Sequence, residues 1–189
     1  MIIHIDNTDN TAFKNLIEKY PDLWEKKKVK KKEILIMQNE IEKRIFYIKS
    51  GILRGYVYDK DVDKEATVMF FSNDDVLIPY NSFFKNLPTL INLQAIRNAE
   101  VFIISKKNWK IIKKQEPKLN KLLLKTSILQ LHQIYEYIVN TITHSAIRRY
   151  DDALKKYPYL KELTDKEIAQ YIGVSRGTLN RAKANQFKK

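Results

Sequence analysis

Residues 163–185 read LTDKEIAQYIGVSRGTLNRAKAN, and this stretch decides how the rest of the chain is understood. Thr164 is a favourable N-cap and Glu167, three positions on, completes a capping box, so a helix is predicted over Asp165–Tyr171. Ala169 is small, as a close crossing of two helices requires. Gly173, four residues later, supplies a left-handed backbone position for a sharp turn. Ser175 caps a second predicted helix, and Ile168, Ile172, Val174, Leu179 and Ala182 provide apolar anchors on both sides of the turn. This is the grammar of a helix-turn-helix, whose second helix enters the major groove of DNA. A plain helical hairpin with a glycine turn is the competing explanation.

The outer face of the second helix favours the DNA reader. It carries Arg176, Asn180, Arg181 and Lys183, and no acid occurs from Val174 onward. Together with Ser175 and Thr178 these are the expected DNA-contacting residues. An arginine near the start of such a helix can pair with guanine O6 and N7, whereas Lys183, Lys188 and Lys189 suit phosphates. The charge distribution agrees. Residues 144–189 hold eleven Lys and Arg against five Asp and Glu, within a chain of net charge +13 and pI ≈ 9.6. Such an excess favours polyanions, although a lysine-rich proteome produces the same bias without function.

Upstream, Pro117 marks the first turn of a long predicted helix in which Leu124, Ile128, Leu131, Tyr135, Ile138 and Ile142 recur at spacings of 4 and 3. Leu122, Leu123, Leu129, Ile134 and Val139 widen the apolar surface beyond one stripe. A helix apolar on two sides has two things to cover, its own domain and either more of the same monomer or a twofold mate. The second alternative predicts a homodimer. From Glu33 to Ser105 the pattern changes to short runs rich in Ile, Val, Phe and Tyr, separated by turn residues, which reads as an antiparallel sandwich or barrel. Gly55 within one run is expected to allow a bulge. Before it, Phe13, Leu16, Ile17 and Tyr20 predict a short amphipathic helix packed on the body. The lysine run KKKVKKK at 26–32 is expected to be a solvated connection.

Composition excludes several chemistries. With no cysteine there are no disulfides, thiolate zinc sites or cysteine-ligated clusters. His4, His132 and His144 are scattered and none lies between residues 33 and 105, where a cupin-like enzyme would need clustered ligands. No glycine-rich phosphate loop is recognised, and four glycines in the chain exclude most such loops. No catalytic residue, metal site or cofactor is therefore expected. No window is long and apolar enough for a membrane span, and no signal peptide is recognised, so a cytoplasmic protein is expected.

Ile48-Lys49-Ser50-Gly51, the long helix, Ala146-Ile147-Arg148-Arg149-Tyr150, Tyr157-Pro158-Tyr159-Leu160 and Glu167 to Arg176 follow one another in an order that resembles the Crp/Fnr family of bacterial transcription regulators over nearly the whole chain. The resemblance implies an α+β chain divided in three. Residues 1–108 would hold an N-terminal helix and a cyclic-nucleotide-binding-like jelly-roll sensor, 109–143 a dimerisation helix and 144–189 the helix-turn-helix domain. It also implies double-stranded DNA and a second copy as partners, and it adds RNA polymerase and an unidentified small-molecule effector to the candidates. By the same resemblance Arg176 and Arg181 match the family's base-contacting arginines.

The chain departs from the family's pattern at three places. Where cyclic AMP-binding members carry Gly-Glu and then Arg-Ala, this chain has Leu77-Ile78-Pro79-Tyr80-Asn81-Ser82 and then Pro88 to Ala95, with neither the acid nor the arginine. A buried cyclic phosphate would lack a cation, so cyclic AMP is not expected to bind. Tyr80, Asn81, Ser82 and Asn92 remain the candidate effector contacts. Gly177 stands where members reading a G·C-rich half-site carry glutamate, so the target sequence cannot be transferred. The chain stops at Lys189, and a shortened DNA-binding domain without the family's β-hairpin wing is expected. The alternative is a ligand-binding or protein-interaction module whose helix-turn-helix is vestigial.

Overall fold

The computed structural model describes residues 7–186. His4, Lys188 and Lys189, and the side chains of Leu129 and Ile134, lie outside the described residues. Eight strands make two four-stranded antiparallel sheets: β1 (Glu25–Val29), β2 (Ile34–Ile36), β3 (Arg44–Ser50), β4 (Leu53–Asp59), β5 (Lys64–Phe71), β6 (Val76–Leu77), β7 (Asn92–Ala95) and β8 (Ala99–Ser105). Their orders are β1-β8-β3-β6 and β2-β7-β4-β5. Phe46 and Ile48 of one sheet and Leu53, Phe71 and Leu93 of the other meet in the core between them.

The continuous apolar run at 45–48 has a simple cause. Phe46 and Ile48 face the partner sheet, while Ile45 and Tyr47 point the other way into a second apolar cluster. A strand covered on both faces loses its polar alternation. That second cluster is closed by α1 (Asn7–Lys19) and α3 (Lys106–Gln115), where Phe13 stacks on Trp109 with ring centres 6.1 Å apart. The predicted N-terminal helix is thus present and packed.

The lysine run is not a loose connection. Its first half is β1, paired with β8 in the register Lys26↔Phe102 and Lys28↔Glu100. Val29 is buried, while Lys26 pairs with Glu100 at 3.3 Å and Lys27 with Glu33 at 2.9 Å. β1 is an edge strand, and lysines on an edge deter pairing with another chain. At Gly55 the register of β4 against β5 shifts, giving the expected bulge.

The predicted long helix is interrupted. α3 ends at Gln115, and α4 (Leu119–Thr143) starts after Glu116-Pro117-Lys118, so Pro117 precedes the helix rather than lying in its first turn. The residue before a proline is disfavoured in helical geometry, and Glu116 sits at φ −121°, ψ 80°. Lys19 and Tyr20 hold its carboxylate at 2.6 and 2.8 Å. α3 itself begins at Lys106, capped by Ser105.

Beyond α4 come α5 (Ala146–Lys156), α6 (Asp165–Tyr171) and α7 (Arg176–Gln186). They share an apolar cluster with the sandwich: Ile52, Phe70 and Ile96 pack with Tyr157, Leu160, Tyr171 and Leu179. Phe70 and Tyr171 have ring centres 5.3 Å apart. Arg97 donates to the Glu162 carbonyl and pairs with Glu167 at 3.6 Å. The helical unit therefore docks directly against the sandwich.

Candidate nucleic-acid interface

α6 starts with the predicted capping box. The Thr164 hydroxyl accepts from the Glu167 N–H at 3.3 Å, and the Glu167 carboxylate accepts from the Thr164 N–H at 2.7 Å. It ends in a Schellman turn. Gly173 adopts φ +74°, and the Val174 N–H returns to the Ala169 carbonyl at 3.0 Å. The Arg149 guanidinium of α5 donates to the Ile172 carbonyl at 2.7 Å, which satisfies another end-of-helix oxygen and ties α5 to the turn. Sequence reasoning missed Arg149, because nothing local marks it; its role exists only once α5 and α6 are side by side.

α7 is fixed at its start by Ser175, whose hydroxyl accepts from the Thr178 N–H at 3.0 Å and lies 2.9 Å from the Thr178 hydroxyl. Leu179 is fully buried, and Ala169 beneath it is nearly so. Arg176, Gly177, Asn180 and Arg181 are exposed. At ~100° per residue they share an arc of roughly 140° on the side away from Leu179. Ser175 is exposed and Thr178 half-buried, and their hydroxyls are joined at the start of α7 by the bonds that cap it.

Lys183 departs from its expected role. Its amine pairs with Asp165 at 2.6 Å and lies 4.3 Å from the centre of the Tyr150 ring, with 24% of the side chain exposed. Burial opposes its charge, but the bonds to Asp165 and Tyr150 outweigh this and raise its pKa. It braces α7 against α6 and α5 and is not a free phosphate contact.

α4 splits its apolar residues as a two-sided helix should. Leu122, Leu123 and Tyr137 pack on the chain's own clusters. Leu124, Ile128, Leu131, Tyr135, Ile138 and Ile142, the whole predicted seam, are between 47% and 78% exposed. Tyr137 also donates to the Tyr171 carbonyl at 3.2 Å, and Lys156 of α5 pairs with Glu136 at 2.8 Å. α4 thus touches the α5–α7 unit directly.

In the sandwich, a cavity of ≈ 250 Å³ opens beside the short helix α2 (Tyr80–Lys85). Tyr80, Asn81 and Ser82 line it as expected. Asn92 does not. It is buried, and its side-chain amide bonds the Gln38 main-chain N–H at 2.9 Å and the Gln38 side chain at 3.2 Å. It organises the β2–β7 neighbourhood instead of facing a ligand. The polar appearance of Asn92 suggested a contact; its partner 54 residues away explains it.

Residues 26–116 match the cyclic nucleotide-binding domain family.

Solved structures agree on the fold. The c-di-GMP-responsive global regulator CLP of Xanthomonas campestris has a TM-score of 0.73 at 13% identity, over 92% of this chain and 93% of that one. A CooA mutant from Carboxydothermus hydrogenoformans gives 0.70 at 20% identity, over 92% and 83%. FixK2 from Bradyrhizobium japonicum gives 0.71 at 15%, over 87% and 85%. A sequence search of curated proteins finds no match. The expected resemblance to Crp/Fnr regulators is borne out by the cyclic nucleotide-binding domain and by these neighbours in fold.

Within the residues that match the cyclic nucleotide-binding domain family, none of those lining the cavity is basic or acidic. Among the described residues no group of three or more His, Asp or Glu side chains is placed to hold a metal ion, and no helix is long and apolar enough to cross a membrane.

Proposed function

We propose that the protein is a homodimeric, sequence-specific DNA-binding transcription regulator that does not respond to cyclic AMP. The observation that carries this reading is the outer face of α7. Arg176, Asn180 and Arg181 are left exposed on a helix whose every other side is fixed, by Leu179 in the core, Ser175 at the cap and Lys183 against Asp165. A helix held this firmly with a basic outer face suits a major groove, where the arginines can reach guanine edges.

The bare seam of α4 supports the dimer. Six large side chains in heptad positions extend over ~27 Å of helix and match a copy of themselves in a twofold pair. Such a pair would set two recognition helices about one DNA turn apart, ~34 Å, on one face of the duplex. The uncharged cavity supports the second clause, since a cyclic phosphate buried there would have no cation to offset its desolvation. RNA polymerase is the partner through which a bound regulator of this kind would act.

Selection from random duplex DNA at moderate salt tests the proposal, beside an Arg176→Ala/Arg181→Ala control. The expected result is a palindrome with half-sites about one turn apart, absent from the control. Salt-sensitive binding without enrichment in both proteins would sink it and favour a vestigial helix-turn-helix.

A further inference from the structure

Around the turn at Gly173, polar side chains are committed within the chain. Ser175 bonds Thr178, Lys183 holds Asp165, Glu167 closes the capping box and Arg149 holds the Ile172 carbonyl. Arg176, Asn180 and Arg181 differ. All three are exposed and, among the described residues, have no hydrogen-bonding or ionic partner. Asn180 lies between the other two. Taken at ~100° per residue from Arg176, Asn180 stands at about 40° round the helix, Gly177 at about 100° and Arg181 at about 140°. The two arginines therefore bound the exposed arc, and a short amide and a glycine occupy its middle.

The fold gives no reason for that glycine. Gly177 is not among the positive-φ residues, and a Cβ there would meet only the Ser175 hydroxyl, at 3.8 Å. Glycine inside a helix is nevertheless less stable than alanine. What a missing side chain does provide on an outward face is close approach of the backbone to a ligand. Asn180 needs that approach. Its amide is bonded directly to Cβ, so it meets a base edge only when the helix lies deep in the groove. The arginines, with longer side chains, reach from the flanks.

We infer that Asn180 is a specificity-determining residue that reads an adenine in each half-site, and that Gly177 is the gap that lets it get there. The inference rests on the DNA-reading proposal and names a base for it. A side-chain amide offers one acceptor beside one donor. In the major groove adenine alone among the four bases shows the matching pair, a donor at N6 and an acceptor at N7. The Asn180 carbonyl oxygen accepts from N6–H, and its NH2 group donates to N7. Guanine presents two acceptors, which suits the arginines on either side instead.

The test uses the full chain and the duplex it selects. Each selected adenine is replaced in turn by 7-deazaadenine, which removes the N7 acceptor and keeps the pairing with thymine. At one adenine per half-site the parent should bind about tenfold more weakly. Asn180→Ala should bind the original and the 7-deaza duplex equally, both at the weakened level. It replaces an exposed, unpartnered side chain with the best helix former, so folding is not at stake. Gly177→Leu, also a better helix former, should melt no lower than the parent and lose the same preference. A parent indifferent to 7-deazaadenine at every position overturns the inference, as does a preference that survives Asn180→Ala. Equal loss by Asn180→Ala on selected and random duplexes also overturns it, by making Asn180 a phosphate contact. Gly177→Leu that keeps the parent's preference removes the gap from the inference. Selected half-sites indifferent to Asn180 sink this inference alone, whereas failure to select any duplex sinks the DNA-reading proposal with it.

Discussion

α4 and α7 each leave one face uncovered, and the two faces have opposite chemistry. The face of α4 is a row of Leu, Ile and Tyr; that of α7 is Arg176, Asn180 and Arg181 with no acid nearby in sequence. An uncovered apolar row is costly in water and is stabilised by another apolar surface. An uncovered basic face is well hydrated and costs little until a polyanion arrives. On the proposed function, the difference separates two kinds of partner: one that would complete the molecule, and one that the completed molecule would read.

The largest effect should come from breaking the apolar face. Leu131→Asp would place one carboxylate per protomer in the seam, at several kcal/mol each, so sedimentation should show a monomer at concentrations where the parent is a dimer. A dimer that survives this change would mean that α4 is not the contact. Breaking the basic face comes next. Arg176→Ala and Arg181→Ala should each cost ~1–3 kcal/mol of discrimination, about ten- to hundredfold, on the selected duplex but much less on random DNA. Equal losses on both duplexes would reduce these arginines to phosphate contacts.

Sharpening α7 is a smaller change. A Cβ at Gly177 meets only the Ser175 hydroxyl, at 3.8 Å, so Gly177→Ala should fit and stabilise the protein by up to ~1 kcal/mol, seen as a raised melting temperature. A lowered melting temperature would show that this position needs glycine's backbone freedom. The smallest effect concerns the link between the two helices' neighbourhoods. The hydrogen bond from Lys156 holds the Glu136 carboxyl below its ordinary pKa, against the opposing effect of burial. A depressed carboxyl contributes stability above its unfolded pKa and loses it as pH falls through the folded value. Lys156→Met should therefore cost a few tenths of a kcal/mol at about pH 7, and the difference from the parent should vanish near about pH 3. A difference that persists in acid would indicate lost packing of the lysine stem instead.

The local geometry of α6, the turn at Gly173 and α7 was legible almost residue by residue, because caps, a left-handed glycine and buried anchors are local requirements. Thr164, Glu167, Gly173, Ser175 and Leu179 all do in space what their spacing implies. The α4 seam was legible for the same reason, and the bulge at Gly55 nearly so. What sequence hid depends on distant partners. Lysines 26–28 form a strand because β8 lies beside them, and Asn92 is spent on Gln38. Lys183 is drawn inward by Asp165 and Tyr150. A basic side chain looks the same in sequence whether it will meet phosphate or a carboxylate 18 residues away. Docking of the helical unit on Phe70 was likewise hidden, since alternation fixes which way a side chain points but not what covers it.

That alternation at β5 has a consequence for information flow. Met69 and Phe71 wall the cavity, and Phe70 between them belongs to the contact with Tyr171 of the helical unit. The two environments are separated by one peptide unit of a close-packed interior, which transmits displacement with little slack. A guest that favours one placement of the helical unit over another would then obey reciprocity. It would alter the protein's grip on its operator by some factor, and the operator would alter the protein's grip on the guest by that same factor. The genome would then act as an effector of the sensor, as much as the metabolite acts as an effector of the reader.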